Sequence, residues 1–193
     1  DQGLNEDVDT VMGSTSVRRW SYATSKALDE FLALAYYAEK KLPVIIARFF
    51  NTIGPGQLGD YGMVVPIFIQ KALAGEDIPI FGDGTQKRSF GYVGDAVNCI
   101  VKLVEKENSI GEVFNIGNTS EITINDLAET IIKRTNSNSK IKYISYEKAY
   151  GSGFEDMKRR KPNANKLEKA IGFKPEIDIN QIIDEMIIYF KSI

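Results

Sequence analysis

An α/β fold with a buried parallel sheet is what this sequence predicts, and three observations carry it. Amphipathic helical stretches alternate with short apolar runs, the first of those runs lacks polar alternation, and a Gly/Pro loop follows it at once. Along residues 21–40, Tyr22, Leu28, Phe31, Leu32, Leu34, Ala35 and Tyr36 follow a helical period, with Pro43 beyond the stop. Residues 44–50 then read as a strand buried on both faces. The loop that follows, residues 51–57, lies at the carboxyl end of that strand, where open α/β sheets place ligands. A helix over Val64–Ala74, a strand over Ile78–Phe81, a turn at Gly82, Asp83 and Gly84, a strand over 89–93 and a helix over 95–104 come next. The remainder predicts a strand over Val113–Ile116, a helix over 125–134 capped by Thr123, a strand over 141–146, and helices over 164–170 and 179–190. Residues 136–139 read as a polar loop, and Gly151, Ser152 and Gly153 as a hinge.

The 193 residues carry a formal net charge of -2, no histidine and one cysteine. Without histidine there is no Ser-His-Asp or Cys-His machinery and no HExxH zinc site, so no metal ligands are assigned and acid/base chemistry falls to Tyr, Lys, Asp or Glu. Cys99, beside Asn98, Ile100 and Val101, can form no internal disulfide and reads as a small buried hydrophobe. With 43% hydrophobic and 26% charged residues, the composition is that of a soluble globular chain able to bury roughly 70% of its unfolded surface. The balanced charge argues against nucleic acid as a partner, although Lys158, Arg159, Arg160 and Lys161 are enough to hold one anionic ligand. The longest apolar stretch, 63–69, is too short to span a membrane, and the acidic opening residues show no secretory signal. A cytoplasmic protein acting on a small molecule is the expectation.

Tyr22 and Lys26 stand at i and i+4 on one face of the first helix. A phenol titrates at about 10 on its own, and an ammonium beside it favours the phenolate, which suits a tyrosine general base in a chain without histidine. A core tyrosine beside a solvated lysine has the same spacing, so the pair alone decides nothing. Its context is the run Tyr22-Ala23-Thr24-Ser25-Lys26, then Arg48-Phe49-Phe50-Asn51 with Gly54 and Pro55, then Ile80-Phe81-Gly82-Asp83-Gly84 leading through Gln86, Arg88, Phe90 and Tyr92 to Asp95. Phe114-Asn115-Ile116-Gly117 and Arg159-Arg160-Lys161-Pro162 continue it. In order and spacing these motifs resemble the extended short-chain dehydrogenase/reductase family, and within it the nucleotide-sugar epimerases and dehydratases, from about residue 5 to the end.

That resemblance implies the C-terminal portion of a Rossmann-type parallel sheet over residues 1–60 and, over 61–193, a small α/β substrate-binding lobe with some segments returning to the sheet. It implies NAD as cofactor, Tyr22 as catalytic base, Lys26 on the nicotinamide ribose and Phe49 near the nicotinamide. For a UDP-sugar or related nucleotide-sugar substrate it implies Asn51 on the diphosphate, backbone N–H groups of Val64 and Val65 facing the anion, Arg88 and Arg160 clamping the diphosphate, and Ile80 and Phe81 flanking the base. Asn163 stands where the family usually has an aspartate on the nucleotide ribose. No glycine-rich GxGxxG turn follows a predicted strand, so the chain reads as the C-terminal part of a longer enzyme, inactive by itself. The expected activity is NAD-dependent epimerisation of a nucleotide sugar, of the UDP-glucose 4-epimerase kind, through a transient 4-keto sugar. A UDP-glucuronate decarboxylase or dTDP-glucose 4,6-dehydratase is the alternative within the family, and a non-catalytic sugar-nucleotide-binding protein the alternative outside it. A homodimer through the YxxxK helix is expected, with Phe31, Leu34, Ala35 and Ala38 as its face.

Overall fold

The computed structural model describes residues 3–17, 19–59, 63–150 and 156–193; the hinge expected at 151–153 lies outside them. Helix α1 (Arg19–Lys40) runs into β1 (Ile46–Phe49). β2 (Thr52–Ile53) interrupts what reads in sequence as a single loop, because its backbone pairs in parallel with β5 (Gly91–Tyr92). α2 (Val64–Ala74) and β3 (Ile78–Phe81) have the predicted bounds.

Of the strand expected over 89–93 only residues 91 and 92 form one, and a separate short strand precedes it. β4 (Lys87–Arg88) pairs antiparallel with β7 (Ile122–Thr123) and parallel with β9 (Arg159–Arg160), whereas β5 joins β2 and helix α3 (Val93–Val104) begins directly after it. Two successive short strands thus serve two sheets, with Ser89 and Phe90 between them. A short 3-10 helix (Glu107–Ser109), β6 (Val113–Ile116), α4 (Ile124–Thr135) and β8 (Ile141–Ile144) follow. The strand expected to reach residue 146 stops at Ile144, where helix α5 (Tyr146–Tyr150) takes over after Ser145. α6 (Asn165–Ile171) and α7 (Ile179–Ser192) complete the chain.

β1 pairs in parallel with β6, and β3 in parallel with β8. Two cores result. Val65, Phe68 and Ile69 of α2 pack with Ile78 and Ile80 of β3, Leu127 and Ile131 of α4, and Ile182 and Met186 of α7. Phe114 and Ile116 of β6 pack with Ala96, Cys99 and Leu103 of α3 and Leu167 of α6, with Ile45 and Ala47 beside them. Each fully buried aliphatic or aromatic side chain contributes about 1.5–3 kcal/mol. Cys99 is fully buried, and burial pushes its thiol up to about 11, as expected of a packed small hydrophobe.

β1 corrects the expectation of a strand buried on both faces. Its first three residues are half-buried and Phe49 is exposed, because among the described residues it has a neighbour, β6, on one edge only. α1 is likewise open: Phe31 is 71% exposed and Leu28 and Tyr36 are 55% exposed. Among the described residues no helix is long and apolar enough to cross a membrane.

The Thr123 cap forms as predicted. Its hydroxyl oxygen accepts from the Asp126 backbone N–H at 3.0 Å, and the hydroxyl donates to the Asp126 carboxylate at 2.6 Å. Thr123→Ala is expected to lower stability by about 1 kcal/mol, read as a lower denaturant midpoint at constant slope. An unchanged midpoint would show the cap to be redundant.

Candidate active site

Consecutive residues at the end of β1 serve two recesses, a groove lined by Phe49 and Phe50 and a cavity lined by Asn51. The groove encloses about 680 Å³, and Tyr22, Lys26 and Arg160 also line it. The i, i+4 spacing on α1 turns Tyr22 and Lys26 towards the same floor, and the strand-end position of Phe49 leaves its ring 46% exposed there. The Lys26 ammonium donates to Asp29 at 2.7 Å, and this hydrogen bond and charge hold its pKa above the ordinary lysine value. Its ion-pair partner is therefore Asp29 and not the Tyr22 phenol. Arg160 lies with its guanidinium carbon 5.8 Å from the centre of the Phe50 ring.

The cavity, of about 300 Å³, has an apolar wall from Val64, Phe68, Pro79, Phe81 and Phe90, and a polar rim from Asn51, Gln86, Arg88, Tyr146 and Asp156. Asn51 holds a left-handed backbone, φ 41°, which is uncommon outside glycine, and its amide donates to the Ser89 carbonyl oxygen at 2.8 Å. That bond ties the loop after β1 to the bend between β4 and β5. Arg88 has only 13% of its side chain exposed; one of its terminal nitrogens donates to both Asp156 oxygens, at 2.8 and 2.7 Å. Arg88 and Arg160 stand in register on adjacent parallel strands, which sets two guanidiniums side by side between the recesses. Among the described residues no carboxylate pairs with Arg160, whereas Arg159 forks onto Glu121.

The structure thus brings Tyr22, Lys26, Phe49 and Arg160 together in one place and Asn51, Val64, Phe81 and Arg88 in the next. Arg88 lines the cavity and Arg160 the groove, as neighbours on paired strands. The Ile80 side chain lines neither recess and is fully buried in the core, as is the side chain of Val65, for which the resemblance implies a role of the backbone N–H alone. The twofold period of β3 is the reason for Ile80, since Ile78 and Ile80 point inward while Pro79 and Phe81 face the cavity. Val65 is one helical step round from Val64. Among the described residues no side chain caps the start of α2 at Met63, and Val64 of its first turn lines the cavity.

Sequence reading missed Gln86, Tyr146 and Asp156. Gln86 was detectable, being two residues before Arg88 in extended chain and therefore on the same face; Tyr146 and Asp156 reach the rim only through folding. Asn163, at the family's ribose position, makes a local turn in which its side-chain oxygen accepts the Asn165 N–H at 2.9 Å.

A family profile described as GDP-mannose 4,6 dehydratase matches residues 13–186. The UDP-N-acetyl-alpha-D-glucosaminuronate decarboxylase of Bacillus cytotoxicus is 42% identical over 191 residues, 98% of this chain and 59% of that protein. UDP-glucuronic acid decarboxylase 4 of Arabidopsis thaliana is 34% identical over 174 residues, 90% of this chain and 38% of that protein. The crystal structure of UDP-glucuronic acid 4-epimerase from Bacillus cereus in complex with UDP-glucuronic acid and NAD superposes with a TM-score of 0.85 at 25% identity, over 100% of this chain and 57% of that one.

Proposed function

The chain belongs to the GDP-mannose 4,6 dehydratase family, whose members related to it are NAD-dependent nucleotide-sugar epimerases, dehydratases and decarboxylases, and from that premise we propose that it serves an enzyme that decarboxylates a UDP-linked hexuronic acid. The 42% identity with the Bacillus cytotoxicus decarboxylase carries this reading and favours an N-acetylated uronate. It replaces the UDP-glucose 4-epimerase expectation with what the sequence left as its alternative. Arg160 supports it, as a guanidinium in the Tyr22 groove with no carboxylate partner among the described residues, and so suited to a substrate carboxylate.

In a hexuronate, a ketone at C4 lies β to the C6 carboxylate. Once it is formed, the C5–C6 bond breaks, CO2 leaves, the electron pair passes into the C4 enolate, and C5 takes a proton. NAD, when bound, supplies the hydride acceptor and donor at C4. The groove suits it, with an exposed aromatic face at Phe49 and an ammonium at Lys26 for ribose hydroxyls. Tyr22 takes the C4 hydroxyl proton and returns it at the end. Arg160 holds the carboxylate until CO2 departs. In the cavity, Arg88, Asn51 and the α2 terminus hold the diphosphate, so binding energy remote from C4 positions the reacting carbons.

Because the chain spans 59% of the Bacillus cytotoxicus protein, the assay compares the chain alone with the chain joined to the amino-terminal half of that relative. Supplied with NAD and the UDP-linked N-acetylglucosaminuronate, the joined protein is expected to release CO2 and a UDP-linked N-acetylated pentose, and the chain alone to be inactive. A hexuronate product inverted at C4 would establish the epimerase instead, and binding without turnover a non-catalytic protein. Exposed Phe31, Ala35 and Ala38 beside half-buried Leu34 support a homodimer contact along α1, and light scattering of the joined protein tests it.

A further inference from the structure

The groove holds a second guanidinium, which the proposed reaction does not use. Arg48, on β1, forks onto Glu30 of α1: its Nε and one terminal nitrogen donate to the two carboxylate oxygens at 2.8 and 2.6 Å. Its other terminal nitrogen donates to the Glu6 carbonyl oxygen at 3.0 Å. Glu6 is itself buried, and its carboxylate accepts the Asn115 N–H of β6 at 2.8 Å. Arg48 therefore ties α1 to β1 directly and to β6 through Glu6. Only 34% of the Arg48 side chain and 23% of the Glu30 side chain are exposed, whereas Lys26 and Asp29 pair largely in solvent. A forked, half-buried pair holds its two elements in register as an exposed single contact does not.

The position of Glu30 gives the pair an electrostatic consequence. Glu30 stands four residues after Lys26 and eight after Tyr22, on the same face of α1. A bare carboxylate there would draw the Lys26 ammonium away from the phenol and disfavour the phenolate. Among the described residues the charged side chains that line the groove are Lys26, Asp29 and Glu30 from α1, Arg48 from β1 and Arg160 from β9. Glu6 and Asp7, ahead of α1, add negative charge that acts on Arg48. Asp29 answers Lys26 and Arg48 answers Glu30, which leaves Arg160 as the charge in excess along the groove.

We propose that Arg48 is a positioning residue for the reaction: its fork onto Glu30 holds α1 against β1 and cancels the carboxylate that would otherwise oppose ionisation of the Tyr22 phenol. The proposal rests on the reading of Tyr22 as the base, and Arg48 acts on that base through Glu30 and Lys26.

The test is kcat/KM for CO2 release by the joined protein against pH, in Arg48→Gln, Glu30→Gln and the double variant. Its acid limb reports the essential base of the free enzyme. Arg48→Gln leaves a bare carboxylate, so its acid limb is expected to move to higher pH by about 0.5–1 pH unit. Glu30→Gln leaves a bare guanidinium and is expected to move the limb to lower pH by a similar amount. The double variant removes both charges and is expected to return the limb to its unsubstituted position. Added salt is expected to shrink both single shifts, because the two side chains are partly exposed. UDP titration of each sample checks that the fold stands, since neither residue lines the cavity.

A purely structural pair would lower the plateau and leave the limb in place. Limbs unmoved in both single variants, or a double variant that keeps the Arg48→Gln shift, overturn the proposal. Should Arg48→Gln lose UDP binding through misfolding, Glu30→Gln decides by itself: a limb that does not fall overturns the proposal. Tyr22→Phe separates the two readings. If that variant is inactive while the limbs stay fixed, only the role of Arg48 falls; if it is fully active, the base assignment falls and the role of Arg48 with it.

Discussion

Tyr22→Phe in the joined protein is expected to lower kcat for CO2 release by about 10²–10⁴-fold, the usual worth of a positioned general acid or base. The ring remains and only the hydroxyl goes, so the helix and groove are unaltered. The phenol is 71% exposed, which makes structural damage from losing one oxygen small. Affinity for UDP is expected to stay the same, because UDP fills the neighbouring cavity, which Tyr22 does not line. The measurement is steady-state product formation beside a UDP titration of the same sample. Full turnover by the Phe variant would remove Tyr22 from the chemistry and with it the proton path proposed for C4. A fall in both turnover and UDP affinity would make Tyr22 a packing residue.

The second large effect is expected at Arg88. A charge-assisted hydrogen bond contributes about 1.5–3 kcal/mol, so Arg88→Ala should weaken UDP binding by about 10- to 150-fold. Asp156 sharpens the prediction. It accepts two hydrogen bonds from Arg88 at 2.7 and 2.8 Å, and removing the guanidinium leaves that carboxylate beside an arriving diphosphate. Like charges at short range disfavour one another, so Arg88→Ala combined with Asp156→Asn is expected to bind UDP more tightly than Arg88→Ala alone. Calorimetry on the two variants measures this. Undiminished UDP binding by Arg88→Ala would place the diphosphate elsewhere, with Arg160 the next candidate.

Much of the fold was legible because it depends on local chemistry. α2 and β3 have their predicted bounds, and α4 begins at the residue after its predicted Thr123 cap. In each case a periodic apolar pattern ends at a stop that works within a few residues, such as left-handed Gly75 after α2. The misread segments are those whose partners are distant. β2 is a strand because residue 91 lies opposite residue 52, and β4 and β5 part because one pairs with residues 122–123 and 159–160 while the other pairs with β2. Neither fact has a local signature. The site divides in the same way. Tyr22 with Lys26, and Phe49 with Asn51, could be chosen by motif, whereas the inward turn of Ile80 follows from which face of β3 meets α2 and α4.

By itself, then, the sequence determined the inventory of chemistry: no histidine, a tyrosine and a lysine one helical turn apart, two arginines in separate motifs, and an alternation of elements that makes an α/β fold. Those are properties of residue type and short spacing, and no contact can alter them. The tertiary structure alone decided the assignment of roles. Parallel pairing of β4 with β9 makes Arg88 and Arg160 neighbours, Arg88 lining the cavity and Arg160 the groove. Folding also carried Asp156 to Arg88 and Tyr146 to Gly82 across gaps of 68 and 64 residues, and left the Gln86 oxygen buried without a donor. Such outcomes depend on where chain segments pack against one another, which is a sum over long-range contacts that no window of sequence contains.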